Sequence, residues 1–298
     1  MPAFSKGFSN YLLLTKRLYI SYNIAMKRLF IIICLTTALW LGGCNSLDNQ
    51  GANLPNLVPP IVEELPEIEN GSNDGESNES FDQEEEEKKK KRYAVSTVNS
   101  LRIRSGASTN STVVGYLDKN DAVQILDTLG NYYVTVYKEK TAYVSKTYCT
   151  VMEVDLASED IERAIDQGAM LLGHPYVWGA QRYHWGNGKL NANFVAGEFD
   201  CSALVQYVYY HSNDVILDVT SRAQAYNGKH VDKSQLQRGD LMFFTNSSRY
   251  NLTGNERIGH VGIYFGNNYI LHTASDHAVI EPISNLRWSY YVTARRVV

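Results

Sequence analysis

The stretch Phe199-Asp200-Cys201-Ser202-Ala203-Leu204-Val205-Gln206-Tyr207-Val208 decides how this chain is read. Phe199 closes an apolar approach, Asp200 is a good helix cap, and Leu204, Val205 and Val208 then fall on one helical face. That start places Cys201 in the first turn, where unpaired backbone N–H groups and the helix dipole favour a negative sulfur. A thiolate there is nucleophilic near neutral pH once a base and an orienting group come within reach. A lone cysteine is more often inert core, so its partners decide the matter.

The candidate partners lie on a β-hairpin. Ile258-Gly259-His260-Val261-Gly262-Ile263-Tyr264-Phe265 and Tyr269-Ile270-Leu271-His272-Thr273-Ala274 flank Gly266-Asn267-Asn268, which reads as a three-residue loop. Matching the apolar faces fixes the register: Val261, Ile263 and Phe265 share a side with Tyr269 and Leu271. His260, Gly262, His272 and Ala274 then share the other side. Gly262 faces His272, and His260 is its diagonal neighbour at roughly 7 Å between backbones. A loop of two or four residues would turn the imidazoles to opposite faces. Cys201, His260 and His272 could nominally supply three zinc ligands, but no HExxH or CxxC pattern accompanies them, so no metal and no cofactor are expected.

Around these motifs the C-terminal part, residues 155–298, reads as an α+β domain. Ser158 caps a helix whose stripe of Ile161, Ala164, Ile165, Met170, Leu171 and Leu172 ends at Gly173. Pro175-Tyr176-Val177-Trp178-Gly179 follows as an extended aromatic segment, and a polar, glycine-containing loop spans residues 180–198. Arg238-Gly239-Asp240 turns into a buried strand, Leu241-Met242-Phe243-Phe244. Upstream, residues 93–154 hold about five short alternating strands separated by turn signals and show no helical period, which argues for a small all-β barrel.

Ahead of the barrel, residues 44–92 carry prolines, a polar Asn/Gly/Ser patch and many acids, with too little apolar content for a core; they read as a disordered tether. Within it Glu84-Glu85-Glu86-Glu87-Lys88-Lys89-Lys90-Lys91 offers Glu→Lys pairs four apart and reads as a short solvated helix. Residues 1–43 read as a leader: Lys27-Arg28, an apolar run from Leu29 to Leu41, then Gly42-Gly43. The ending Leu41-Gly42-Gly43-Cys44 resembles a bacterial lipobox, which implies lipidation of Cys44 and a membrane anchor facing outward. The formal net charge of -4 points to no nucleic-acid surface. Of four cysteines only Cys149 and Cys201 fall in the folded part, and tying them together would consume the nucleophile, so no disulfide framework is expected.

Five motifs in order now carry a resemblance. Pro175-Tyr176-Val177-Trp178-Gly179, Phe199-Asp200-Cys201-Ser202, Arg238-Gly239-Asp240-Leu241-Met242-Phe243-Phe244, Gly259-His260-Val261-Gly262-Ile263-Tyr264 and Ile270-Leu271-His272-Thr273-Ala274-Ser275 resemble the NlpC/P60 cysteine peptidases over about residues 160–298. Residues 101–148 resemble a bacterial SH3 (SH3b) domain through Leu101-Arg102-Ile103-Arg104-Ser105-Gly106 and Ala142-Tyr143-Val144-Ser145. The combination is similar to the γ-D-glutamyl-L-diamino acid endopeptidases that cut peptidoglycan stem peptides. The resemblance implies a papain-like fold, a helix carrying the cysteine packed on an antiparallel sheet carrying the histidines. It implies Cys201 as nucleophile, His260 as base and His272 as the group orienting it. It also implies that Tyr176 helps hold the oxyanion and that Asp200 and Ser202 grip the amino end of the substrate. Capping alone competes with that role for Asp200, whose charge would oppose thiolate formation.

Departures from the family pattern are Ala180, Ala203 and Gly259, each small for small, a longer 180–198 loop, and the absence of a tryptophan at Tyr132-Tyr133. The expected protein is a monomeric, lipid-anchored, extracytoplasmic cysteine endopeptidase acting on peptidoglycan stem peptides. The alternatives are a non-catalytic wall-binding lipoprotein, and an amidase or acyltransferase on the same framework.

Overall fold

The computed structural model describes residues 90–274 and 276–298. The expected leader 1–43, the expected lipidation site Cys44 and the expected tether through residue 89, with most of its charged run, lie outside the described residues.

The tether is expected to run through Arg92, but the chain is already in a strand at Lys90. β1 (Lys90–Ser96) buries Tyr93, Ala94, Val95 and Ser96. The Lys90-Lys91 end of the expected helix is therefore extended. Its charges misled the reading because Lys91 is not solvated; its Nζ lies 2.9 Å from Glu162 and 2.6 Å from Asp166. β2 (Leu101–Arg104), β3 (Val113–Leu117), β4 (Ala122–Gln124), β5 (Asp127–Leu129), β6 (Tyr132–Tyr137), β7 (Lys140–Ser145) and β8 (Cys149–Asp155) follow. They form two antiparallel sheets, ordered β4-β1-β8 and β3-β2-β7-β6-β5. Strands β1, β5 and β8 are the three that the alternation did not reveal; β5 is exposed throughout and β8 keeps only Val154 buried.

Helix α1 (Glu159–Met170) begins at Ser158, whose Oγ accepts from the Ile161 N–H, and has three acids in its first turn. Helix α2 (Cys201–Asn213) and the short α3 (Ser221–Gln224) follow. Then come β9 (Lys229–Val231), β10 (Leu241–Phe244), β11 (His260–Gly266), β12 (Tyr269–Ala274), β13 (His277–Pro282), α4 (Asn285–Ser289) and β14 (Tyr291–Arg296). The six strands make one antiparallel sheet in the order β13-β12-β11-β10-β14-β9. Alternation along the strands sends Phe243, Val261, Ile263 and Leu271 into the same core as Ile165, Leu204 and Val208 of the helices. Met242, Phe244 and Ile270 point the other way, into a second cluster with Ile283 and Trp288.

The core does not stop where the barrel ends. Tyr93, Val123 and Val144 belong to the same buried cluster as Leu204 and Phe265. At its centre Arg238 is almost buried, and its Nε and Nη2 donate to the two Glu162 oxygens at 2.7 and 3.2 Å. Nη2 also reaches the Tyr93 hydroxyl at 3.0 Å, and the guanidinium lies 4.3 Å from the centre of the Phe265 ring. One side chain thus joins β1, α1 and β11. Burial works to raise the Glu162 pKa, but the hydrogen bonds and charge of Arg238, with Lys91, hold it down at about 2.

Removing one member of a buried pair strands the other charge, at a cost of about 3–5 kcal/mol. Arg238→Ala should lower the urea unfolding free energy at pH 7 by that much, and a loss under about 1 kcal/mol would deny the pair its structural weight. Because the folded Glu162 pKa lies below its ordinary 4.5, its contribution is present above pH 4.5 and lost as pH falls through about 2.

Candidate functional site

The helix start folds as its sequence requires. Asp200 has an extended backbone, and its Oδ1 accepts from the Ala203 N–H at 2.9 Å and from the Ser202 hydroxyl at 3.0 Å. Its Oδ2 lies 2.9 Å from Arg182 Nη2, which also donates to Ser202 Oγ at 3.0 Å. Arg182 comes from the long 180–198 loop, so this loop clamps the start of α2. Asp200 is therefore cap and ion-pair partner together, with its Oδ1 fully engaged by this chain's own groups. Neither Asp200 nor Ser202 projects as a free group; both are buried.

The hairpin delivers both imidazoles to one face by a different local route from the one expected. Asn267 and Asn268, with φ of 50° and 63°, form a two-residue turn rather than part of a three-residue loop. That turn pairs Gly266 with Tyr269, and its continuation would oppose His272 to Ile263, on the wrong face. A bulge between Tyr264 and Gly266 inserts one residue, so Ile263 pairs with Leu271 and Tyr264 with Ile270. His272 then comes level with Gly262. A Cβ at Gly262 would lie 2.6 Å from Ile270 Cδ1 and 2.9 Å from the His272 Cβ, so glycine leaves room for both side chains of the facing strand. His260 Nε2 and His272 Nδ1 are 2.8 Å apart.

Sulfur and hairpin meet at the end of a strand ladder. The β11–β12 register begins at Ile263↔Leu271, and the next N–H on that edge, that of Val261, is directed instead at the Cys201 sulfur, as is the Ser202 N–H. Cys201 thus sits against the His260–Val261 peptide. Tyr176 is held nearby because residues 173–177 bridge two elements. Its N–H donates to Asp276 O at 2.7 Å, and the Val177 N–H donates to Phe199 O at 3.0 Å. Burial, with Cys201 and Asp200 close by, pushes the Tyr176 phenol up.

The electrostatics differ from the expectation of a thiolate. Burial and the Asp200 charge push the Cys201 thiol up to about 11, against the opposing pull of the Val261 and Ser202 N–H groups and Arg182. Burial, with His272 and Arg287, takes His260 well below 6.5. The free protein therefore holds a neutral thiol and a neutral imidazole. The helix dipole is real, but at 8% exposure Cys201 loses more to desolvation than it gains.

Two charged groups behind the histidines were not legible as site residues. Glu281 Oε1 is 2.9 Å from His272 Nε2, and Arg287 Nη2 is 3.4 Å from the same oxygen. Burial works to raise the Glu281 pKa, but His272 and Arg287 hold it below its ordinary value. An ionised carboxylate can only accept, so His272 carries its proton on Nε2 and offers a bare Nδ1. His260 must then donate from Nε2, which leaves its Nδ1 as the basic nitrogen. The available signal was a lone acid in the run Ala278-Val279-Ile280-Glu281, on a strand paired with β12.

Fold and site define an α+β domain in which the sulfur at a helix start lies against the Val261 N–H, next in sequence to one of two paired imidazoles that are backed by a carboxylate. The NlpC/P60 family model matches residues 173–297 and the bacterial SH3 domain model matches residues 99–150. The chain is 31% identical to the peptidoglycan DL-endopeptidase CwlO of Bacillus licheniformis over 52% of this chain and 32% of that protein. It is 30% identical to the γ-D-glutamyl-L-lysine dipeptidyl-peptidase of Bacillus cereus over 43% of this chain and 33% of that one. With the murein DD-endopeptidase MepS/murein LD-carboxypeptidase of Escherichia coli it shares 31% identity over 47% and 68% of the two chains. The match spans about a third of the length of the first two relatives. The chain belongs to the NlpC/P60 family.

A neutral thiol has a distinct signature. The rate of Cys201 alkylation by iodoacetamide should keep rising with pH through 9, following a thiol that ionises at about 11. A plateau reached near pH 5–6 would instead show a resting thiolate–imidazolium pair.

Proposed function

We propose that this chain is a cell-wall cysteine endopeptidase that hydrolyses the γ-D-Glu–diamino acid amide of peptidoglycan stem peptides. The observation that carries the reading is the His260–His272 contact at 2.8 Å, with the Cys201 sulfur against the adjoining Val261 N–H. The names of the relatives support a stem peptide as substrate, and the name of the Bacillus cereus protein supports the γ-D-glutamyl bond.

In this reading the Cys201 proton passes to His260 Nδ1 as the sulfur attacks the amide carbon, so His260 is a true general base. The oxyanion is received by the backbone N–H at the start of α2 and the Tyr176 hydroxyl. His260 returns its proton to the departing amine, leaving a thioester on Cys201. A water then gives a proton to the same nitrogen and its hydroxide to the acyl carbon, and the thiolate leaves with that proton. His272 orients His260, and Glu281 stabilises the transient imidazolium through His272. Asp200, Ser202 and Arg182 act as one unit at the side that receives the amino end of the stem.

The rest of the chain fits an extracytoplasmic monomer. The leader 1–43 is removed, Cys44 carries the lipid, and the folded part follows the tether. This part of the proposal rests on the lipobox-like Leu41-Gly42-Gly43-Cys44 alone.

Cys201→Ala should fold normally and release fragments from a purified muropeptide at least about 1,000-fold more slowly than the parent protein, as judged by product mass. Equal turnover by the two proteins would end this mechanism. Glu281→Gln should lower kcat/KM by about 10- to 100-fold. It should also move the acid limb to lower pH, because losing the carboxylate makes the imidazolium harder to form. An unmoved limb would reduce Glu281 to a packing role.

A further inference from the structure

A pocket of about 320 Å³ opens beside His260, on the flank away from Tyr176. Segment 173–177 lies against the start of β13, through the Pro175↔His277 bridge and the Tyr176–Asp276 hydrogen bond. The pocket lies three strands along the sheet, where the end of β10 meets α4, and it is walled by Phe244, Asn246, His260, Ser284, Arg287 and Tyr290.

Its most telling group is Arg287. Ser284 Oγ accepts the Arg287 backbone N–H at 3.1 Å, and Trp288 Nε1 donates to Asn268 Oδ1 at 2.7 Å, so α4 is pinned at both its start and its middle. The guanidinium lies 5.7 Å from the Phe244 ring centre and is one-quarter exposed. Of its donors, Nη2 alone is engaged, by Glu281; Nε and Nη1 make no hydrogen bond among the described residues. Burial also works to lower its pKa, the mark of a cation that has given up part of its hydration. A partly dehydrated guanidinium with spare donors favours a carboxylate over water. The acid at this wall, Glu281, has one oxygen already shared between His272 and Arg287.

We propose that this pocket is the leaving-group subsite and that it takes an amino-acid residue whose own carboxylate is free, bound by Arg287. The inference rests on the endopeptidase reading, in which His260 protonates the departing amine. The α-carboxylate of that residue is two bonds from the nitrogen, within the reach of a pocket that His260 itself walls. The volume suits one residue. The preferred stem therefore ends at the diamino acid.

The test compares L-Ala-γ-D-Glu-L-Lys with its C-terminal carboxamide. The parent protein should cut the acid with a kcat/KM about 10- to 100-fold higher than the amide, mostly through KM. Arg287→Gln should bring that ratio to about one, whatever its effect on overall rate through Glu281, and Arg287→Lys should restore part of it. A ratio near one in the parent protein, or a ratio unchanged by Arg287→Gln, overturns the proposal. Binding of L-lysine against L-lysinamide to the Cys201→Ala protein, followed by NMR, reads the same preference without turnover. If neither peptide is cut but the acid alone binds, the endopeptidase reading falls and the carboxylate site stands. If neither ligand binds, the site falls too.

Discussion

One inserted residue decides whether this domain has a site at all. The two-residue Asn267-Asn268 turn is the tightest way to reverse the chain between β11 and β12, and both asparagines tolerate the positive φ it demands. Left alone, that turn would set His260 and His272 on opposite faces of the sheet, since the side-chain period of a strand is two. The bulge between Tyr264 and Gly266 restores parity, and it does so without exposing apolar surface, because Phe265 stays fully buried. Register, core packing and imidazole pairing are thus one constraint with a single solution. Gly262 completes it by leaving no Cβ against the facing Ile270 and His272 side chains.

The same burial that fixes the rings sets their chemistry. A neutral thiol and a neutral imidazole cost the folded state little, whereas an ion pair at this depth would have to recover several kcal/mol of desolvation per charge. What the structure offers instead is a route for charge to appear only when it is needed. Glu281 waits behind His272, ionised by Arg287, and the donor–acceptor order from carboxylate to Nδ1 of His260 admits one tautomer of each ring. Under the proposed mechanism, in which His260 is the general base, this arrangement would favour an imidazolium formed during the reaction over a resting one.

How much of this could be read from the residues depends on the range of the interaction. The Asp200 cap, the Ser158 cap and the all-apolar strand Leu241–Phe244 are local, and their patterns are explicit in the sequence. The facing histidines were legible because apolar alternation fixes register even when the turn is misjudged. Glu281 was hidden because it reaches His272 only once β13 has paired with β12, and a lone acid beside an apolar run does not by itself declare that partner. Arg182 lies in a loop without periodicity and finds Asp200 only through the fold. Lys91 was misread for the opposite reason: its local Glu→Lys pattern is real, but Glu162 and Asp166 on α1 outbid it by offering carboxylates to an extended chain.

That last case bears on what the SH3b module does. Its β6–β7 hairpin ends at Lys138 and Glu139, both at positive φ, whose N–H groups donate to Leu172 O and Met170 O at the end of α1. The adjoining Tyr137 ring packs where a Cβ on Gly173 would be, and Gly173, at φ +85°, is the residue from which the Tyr176 segment departs. A larger residue at 173 would have to displace that ring or abandon its backbone conformation. The path that brings Tyr176 to Cys201 is therefore set partly by the barrel, not by the α+β domain alone. Arg238 locks the same two bodies from the other side through Tyr93 and Glu162. A module tied in this way, through hydrogen bonds to a helix end and a shared core, helps to set the path of the Tyr176 segment, and its Asp121 lies near enough to Glu281 and His277 for their charges to act on it.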